Sequence, residues 1–399
     1  MSGWPLTSVG AVSTRVTKGT TPKVGGYTNR GISFIKVESI TAEGQFIPEK
    51  FAYINEETNQ LLARSILQED DLLFSIAGTI GRVARVSARF LPANTNQALA
   101  IIRPDKVKID VGFLLYCLRD ENRIHDALSL VVQSVQANLS LSELSSIQIP
   151  LPPLAEQQAI AEVLGALDDK IAANTKLAAT FESLGTAKLQ ALGINAEPEA
   201  GFVTLDTLFD FNPRRTPASD TVTLIDMQAL PTSEPLVGTW SEGPKKGGTR
   251  FMNGDTLLAR ITPCLENRKT GFVDFLDDGQ VGIGSTEFIV MRSREGLPLG
   301  LSYFVATSSR FRDFAIQNMV GTSGRQRVAA ADIARFEFNP IESTDLVEFG
   351  SWADTNLRLL GSLRTENKTL AATRDALLPQ LMSGKLRVKE AEALVSAAV

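Results

Sequence analysis

The sequence predicts an α+β protein in which two similar mixed α/β domains alternate with two long helices. The helices pair as an antiparallel coiled coil, and the whole chain is an internal pseudo-two-fold repeat. Three observations predict this. Leu177-Ala178-Ala179-Thr180 returns as Leu370-Ala371-Ala372-Thr373, an offset of 193 residues. Each copy lies inside a long, glycine-poor stretch with helical spacing, Leu154 to Leu192 and Asp345 to Met382. Ahead of each stretch is a mixed region rich in short strand-like runs, the ordering expected of a duplicated supersecondary assembly.

The first domain is expected over residues 1–150. Its strand-like runs include Ile32–Val37, Asp71–Ile76 and Gln97–Ile102, each largely apolar. The first long helix is expected over 151–195. Pro150, Pro152 and Pro153 can open a helix but not continue one, and Glu156 falls in the first turn, where the dipole favours an acid. Ile160, Leu164, Leu167, Ile171, Asn174, Ala178 and Phe181 then alternate by fours and threes, the spacing of a coiled-coil seam. About 39 residues at 1.5 Å each give a rod of roughly 58 Å, long enough to set two heads apart.

The second domain, 196–342, repeats the pattern with runs at Val222–Met227, Asp255–Arg260 and Glu287–Met291. The second long helix, 343–386, carries the seam Leu360, Leu363, Asn367, Leu370, Leu377 and Leu381, which Arg374 interrupts. Gly384 stops it, and 387–399 is left as a C-terminal tail. Asn174 and Asn367 are equivalent under the repeat and sit mid-seam. In an antiparallel pair they either hydrogen-bond face to face, fixing register, or rotate to a solvated edge.

Composition narrows function. Of 399 residues, 43% are hydrophobic and 21% charged, the balance of a folded protein. No apolar run approaches the roughly 18 residues of a membrane span, and the start lacks a secretory pattern, so a cytoplasmic location without membrane attachment is expected. Cys117 and Cys264 form no disulfide framework or C-x-x-C metal motif. The single histidine, His125, lies in a helix-like run and reads as a surface or packing residue; any Ser-His-Asp or Cys-His catalysis must pass through it, and histidine-rich metal sites are excluded. No catalytic and no metal-ligating residues are assigned.

Net charge is −5, yet it is segregated. Residues 1–40 carry Arg15, Lys18, Lys23, Arg30 and Lys36 against Glu38, and residues 78–108 carry six cations against Asp105. A uniformly basic nucleic-acid binder is ruled out; a locally basic one is not. Catalytic motifs are missing. Asn212-Pro213-Arg214 and Asn339-Pro340-Ile341 lack the second proline and the aromatic of an amino-methyltransferase loop. Gly282-Ile283-Gly284 is an isolated G-x-G, and Ser383-Gly384-Lys385-Leu386 fails as a phosphate loop. Pro104-Asp105 with Asp168-Asp169-Lys170 lacks the strand context of a nuclease.

Two helix signatures then carry a resemblance. Ile149-Pro150-Leu151-Pro152-Pro153-Leu154-Ala155-Glu156-Gln157-Gln158-Ala159-Ile160 resembles the start of the central helix in DNA-specificity subunits of type I restriction-modification systems. Arg374 through Leu386 resembles the end of their second conserved helix. Gly19-Thr20-Thr21-Pro22, Gly78-Thr79-Ile80-Gly81, Asn96-Gln97 and Gly321 through Val328 are similar to loops of that family's target-recognition domains. The resemblance implies a non-catalytic reader of a split, asymmetric double-stranded DNA target, one half per domain. It implies two methyltransferase subunits as partners, with restriction endonuclease subunits joining some assemblies. The chain itself would hold no cofactor; S-adenosylmethionine would sit on the methyltransferase. The second half departs from the pattern, since Phe338-Asn339-Pro340-Ile341-Glu342-Ser343 replaces the Pro-Leu-Pro-Pro opening and the Glu-Gln pair is absent.

Reading duplex DNA requires cations for phosphates and amides or guanidinia for base edges. In the first domain the candidates are Lys18, Thr20, Thr21, Lys23, Tyr27 and Arg30 in a glycine-punctuated loop, with Arg82, Asn94, Asn96 and Gln97. Asn96-Gln97 is equally readable as a turn amide. In the second they are Arg214, Arg215, Lys245, Lys246, Arg250, Arg268, Lys269, Thr322, Ser323, Arg325, Gln326 and Arg327. The Gly321–Arg327 loop is the strongest: glycines allow close approach and two arginines flank a glutamine. It is also readable as a solvated basic loop. Two other classes remain: a protein–protein scaffold without a DNA role, and a stand-alone DNA-modifying enzyme.

Overall fold

A computed structural model describes residues 4–22, 26–120, 138–322 and 324–398. Lys23, His125 and Ser323 lie outside the described residues. The chain divides into two compact units, Met1–Lys170 with Thr369–Val399, and Ile171–Lys368. Each unit holds one mixed domain together with a part of each long helix, Leu154–Ala191 and Ser343–Ser383.

In the first unit, β1 (Leu6–Ser8) pairs with β10 (Gln148–Pro150) and ties the start of the domain to its end. One antiparallel sheet has the order β2-β9-β6-β7, from Ser13–Lys18, Leu99–Pro104, Leu72–Ser75 and Val83–Arg85. Its central β6 is buried on both faces, which explains why Leu72-Leu73-Phe74 is a continuous apolar run and not an alternation. The second sheet, β3-β5-β4-β8, comes from Tyr27–Thr28, Ala52–Ile54, Ile32–Ile35 and Ala93–Thr95, with β4 and β8 parallel.

The second unit repeats this order. β11 (Val203–Thr204) pairs with β20 (Glu337–Phe338). The antiparallel sheet β12-β19-β16-β17 comes from Phe209–Phe211, Phe288–Ser293, Thr256–Ala259 and Thr270–Phe272, matching β2-β9-β6-β7 strand for strand. In the other sheet, β13 (Thr221–Ile225) runs parallel to β18 (Gly282–Gly284), as β4 does to β8. It departs at the edges: β14 (Ser241–Pro244) flanks β13, and β15 (Thr249–Phe251) flanks β18.

Within each unit the long helices run antiparallel. In the second unit Asn174 faces Asn367, while Phe181 packs on Trp352 at 5.0 Å between ring centroids. Those contacts continue into the domain core, where Phe304 meets Phe181 edge-on at 5.4 Å and Phe349 at 5.4 Å. In the first unit Asp168 faces Arg374 and Glu156 approaches Arg387. Of the seam residues, Ile160, Leu164, Leu167, Asn174, Phe181, Leu360, Leu370, Leu377 and Leu381 are buried. Ile171, Leu363 and Asn367 are half-buried. Arg374 breaks the apolar stripe because it binds Asp168 Oδ1 at 2.7 Å, the same carboxylate that accepts from Arg119 at 2.9 Å and Tyr116 at 2.8 Å. The segment expected as a tail forms a further helix, Val388–Ala398.

The Glu156-Gln157 pair also has a structural reason. Gln157 is buried, accepts from the Asp110 backbone N–H at 2.8 Å and donates to Pro152 at 2.9 Å. It thereby fastens the long helix to the start of the helix Val111–Arg119. In the second unit Asp354 does this work, accepting from the backbone of Gly300 at 2.5 Å at the start of Leu301–Thr307. The missing Glu-Gln pair is replaced in kind.

Candidate nucleic-acid interface

In the first domain the Gly19–Pro22 loop lies directly against the Asn96-Gln97 turn. The Gly19 and Thr20 N–H groups donate to Leu99 and Thr95 carbonyls, both at 3.0 Å. Any side chain at 19 would collide, since a Cβ there falls 2.1 Å from the Asn96 carbonyl oxygen. The Thr21 hydroxyl donates to the Gln97 side-chain oxygen, which joins the two loops at their tips. Gln97 and the adjoining Lys18 are exposed, as is Arg30 after β3. Arg64, not selected from the sequence, reaches in to Thr20 Oγ1 at 3.2 Å. Tyr27 stands edge-on to Phe34, 5.5 Å between centroids, with the Lys36 ammonium 5.1 Å from its ring.

Two candidates in this domain are corrected. Asn94 is fully buried: its amide donates to Asn59 Oδ1 at 2.9 Å and its oxygen accepts from Thr95 N–H at 2.8 Å, so it cements the sheet to the preceding helix. Arg82 turns inward, donating to the carbonyls of Ile40 at 2.5 Å and Val37 at 3.4 Å. Asn96 closes a turn by accepting from Ala98 N–H at 3.2 Å.

In the second domain Arg214, Arg215 and Arg250 line one open groove of about 670 Å³, with Asn212, Thr216 and Thr249. Arg215 is corrected as a DNA contact. It donates to both oxygens of fully buried Asp255, which also accepts from Arg292 at 2.8 Å. Two guanidinia around one buried carboxylate form a structural cluster that the fold cannot release at small cost. Arg214 remains exposed, and Arg250 is held over the groove by its bond to the Gly248 carbonyl at 2.7 Å. Lys245 leans on the Pro217 carbonyl at 3.4 Å, and Lys246 is exposed. Lys269 points inward to the Met227 carbonyl at 2.6 Å, and Arg268 is an exposed residue in the left-handed region, φ 63°.

The Gly321–Arg327 loop is a closed hairpin tip. Val320 and Arg327 exchange two backbone bonds of 2.9 Å, and Thr262 N–H donates to the Gln326 carbonyl at 3.1 Å. Arg327 is not available for bases: its guanidinium binds Glu287 through contacts of 2.7 and 2.9 Å. That hydrogen-bonded guanidinium holds the Glu287 carboxyl below the usual glutamate range. Arg325 and Thr322 remain exposed at the tip. Glu287 belongs to the turn before β19, and Ser285 of the same turn accepts from Thr249 Oγ1 at 3.0 Å. One turn therefore connects the hairpin to the arginine groove.

Among the described residues no cluster of histidine, cysteine, aspartate or glutamate is placed to hold a metal. No helix among them is long and apolar enough to cross a membrane.

Residues 2–183 match the family model of the type I restriction modification DNA specificity domain. The chain is 31% identical over 156 residues to the type I restriction enzyme EcoAI specificity subunit of Escherichia coli, covering 37% of this chain and 26% of that one. It is 30% identical over 164 residues to the putative type I restriction enzyme MjaX specificity subunit of Methanocaldococcus jannaschii, covering 40% and 37%. The matched stretches thus span only 26% and 37% of those relatives' own length. The fold extends further: the S subunit of a type I restriction-modification system from M. genitalium superposes with a TM-score of 0.60 at 13% identity, over 95% of this chain and 96% of that one. The first half is thus similar to a type I restriction modification DNA specificity domain. The similarity to type I restriction-modification specificity subunits in sequence is carried by part of the chain.

Proposed function

We propose that the protein is a non-catalytic reader of double-stranded DNA whose two domains each recognise one part of a split target. The observation that carries this reading is the convergence, in the second domain, of Arg325, Arg250 and Arg214 around the Ser285–Glu287 turn. Arg214 and Arg325 are exposed on loops, and half-buried Arg250 is carried by β15, so cations stand on fixed backbone as phosphate positioning and base reading require. In the first domain the joined loops of Thr21 and Gln97, next to exposed Lys18, supply the same chemistry, with exposed Arg30 as a further proposed contact. Thr20, Lys23, Tyr27, Asn96, Lys245, Lys246, Arg268, Thr322, Ser323 and Gln326 complete the proposed contacts.

The paired helices serve as the spacer and as the docking surface for two methyltransferase subunits, and restriction subunits join through them. Adenine methylation and its S-adenosylmethionine belong to those partners. Mapping methylated adenines in cells with and without the gene tests the reading. A split motif whose methylation vanishes on deletion supports it; an unchanged pattern overturns it. With purified protein, duplex affinity should fall steeply with salt. Salt-independent or absent binding would leave a protein scaffold as the function.

A further inference from the structure

The second unit contains another cleft, of about 850 Å³, whose lining nothing in the duplex-reading site uses. Its floor is a pair of stacked rings: Trp240 and Phe275 lie 3.7 Å apart and 8° from parallel. Trp240 keeps 40% of its surface exposed, which leaves its ring open to a ligand. One wall is a stripe of the second long helix bearing Arg358, Arg364 and Lys368. Arg364 is fixed in place: it donates to the Val237 carbonyl and to Asp274 Oδ2, each at 2.9 Å, with its guanidinium 6.0 Å from the indole. The Lys368 ammonium lies 5.5 Å from the same ring. Arg358 and Lys368 make no salt bridge among the described residues. Ten residues apart on one helix, they stand about 15 Å from each other along its axis.

We infer that this cleft binds single-stranded nucleic acid, an unpaired base extending the Trp240–Phe275 stack while Arg358 and Lys368 take flanking phosphates. A flat aromatic floor between two separated cations is the chemistry that sequence-tolerant single-strand sites combine. A bare anion would use the cations and ignore the rings. An acidic peptide would match the charge but would gain little from a flat stacked pair. The inference does not depend on duplex reading, because the cleft shares no residue with the Arg214–Arg250 groove or the Gly321–Arg327 loop.

The test is fluorescence anisotropy of a dye-labelled ten-nucleotide thymidine oligomer with the full chain. Trp240→Ala is expected to weaken binding about tenfold, while Trp240→Phe, which keeps a ring, retains most of it. Arg358→Gln with Lys368→Gln should lower the slope of log affinity against log salt by about 1.4, two single-strand phosphate contacts. Circular dichroism melting of each variant verifies the fold. Wild-type affinity in a folded Trp240→Ala overturns the proposal. Displacement of the oligomer by polyglutamate or inorganic phosphate at equal charge would overturn it too, showing a charge site only. Equal loss of oligomer binding in Arg325→Ala would place the strand in the duplex site and overturn it; loss of duplex binding alone in that variant supports it.

Discussion

Asn174 and Asn367, 193 residues apart, meet side chain to side chain: Asn174 Nδ2 donates to Asn367 Oδ1 at 2.8 Å and to Glu366 Oε2 at 2.7 Å. Asn174 is buried on the seam, so its amide must find partners there, and the observed alignment supplies two. A polar pair of this type specifies register at a cost in stability.

The first prediction follows. Asn367→Leu alone leaves Asn174 with Glu366 and should change stability by no more than about 1 kcal/mol. Asn174→Leu with Asn367→Leu removes both polar groups and should stabilise the chain, while permitting shifted pairing and oligomers. Thermal melting and light scattering measure the two effects. A double variant that stays strictly monodisperse and in register would remove the register role.

Asp168 carries a different load. Arg119, Arg374 and Tyr116 all donate to this one carboxylate, and the two guanidinia are only about a fifth exposed. Its neutral removal in Asp168→Ala would strand three donors. The expected loss is about 2–4 kcal/mol, near the lower end for a broken buried pair because some water reaches the site. Asp168→Asn, which keeps an acceptor, should lose less. Chemical denaturation checks both, and equal losses would mean that charge, not hydrogen-bond geometry, dominates.

The order of domain and helix was legible in the sequence because repetition and period survive without partners being known: the 193-residue offset and the fours-and-threes spacing are local patterns. Strand runs at Ile32, Asp71, Val222 and Asp255 were visible for the same reason, each being an apolar stretch between turn residues. The site was less legible. Arg215 and Arg82 look like Arg214 and Arg250 in sequence, but the carboxylate of Asp255 and the carbonyls of Val37 and Ile40 that engage them lie about 40 residues away. Asn94 differs from Gln97 only in facing the core, which strand pairing decides. Arg64 and Lys36 were missed because they reach the first-domain loops from elsewhere in the chain. Trp240 lies far in sequence from the helix that completes its cleft.

Glu287 gives a pH signature. Arg327 holds its carboxyl below the unfolded glutamate value, so the native state binds fewer protons than the unfolded one as pH falls toward that value. The stabilisation is fully present above about pH 4.3, the ordinary glutamate range, and is lost as pH falls through the lower folded value. Wild type and Glu287→Gln should therefore differ in stability at neutral pH and converge on acidification. A difference that persists or grows in acid would show that the pair does not hold the hairpin.

The two arginines of that hairpin should separate experimentally. Arg325 is exposed at the tip, whereas Arg327 is bound to Glu287 and bridges to Val320. If Arg325 contacts a phosphate, Arg325→Ala should weaken every duplex alike and reduce the salt slope by about 0.9. If it pairs with a guanine edge, the variant should lose about 1–3 kcal/mol on the cognate half-site alone. Arg327→Ala acts through position: it frees Glu287, adds an unpaired acid beside the groove and loosens the loop, so Glu287→Gln in the same chain should restore part of the affinity. Titrations of cognate and scrambled duplexes at several salt concentrations distinguish these outcomes. Unchanged affinity for the half-site in the Arg325→Ala, Arg327→Ala double variant would remove the hairpin from the interface and leave the Arg214–Arg250 groove to bind DNA without it.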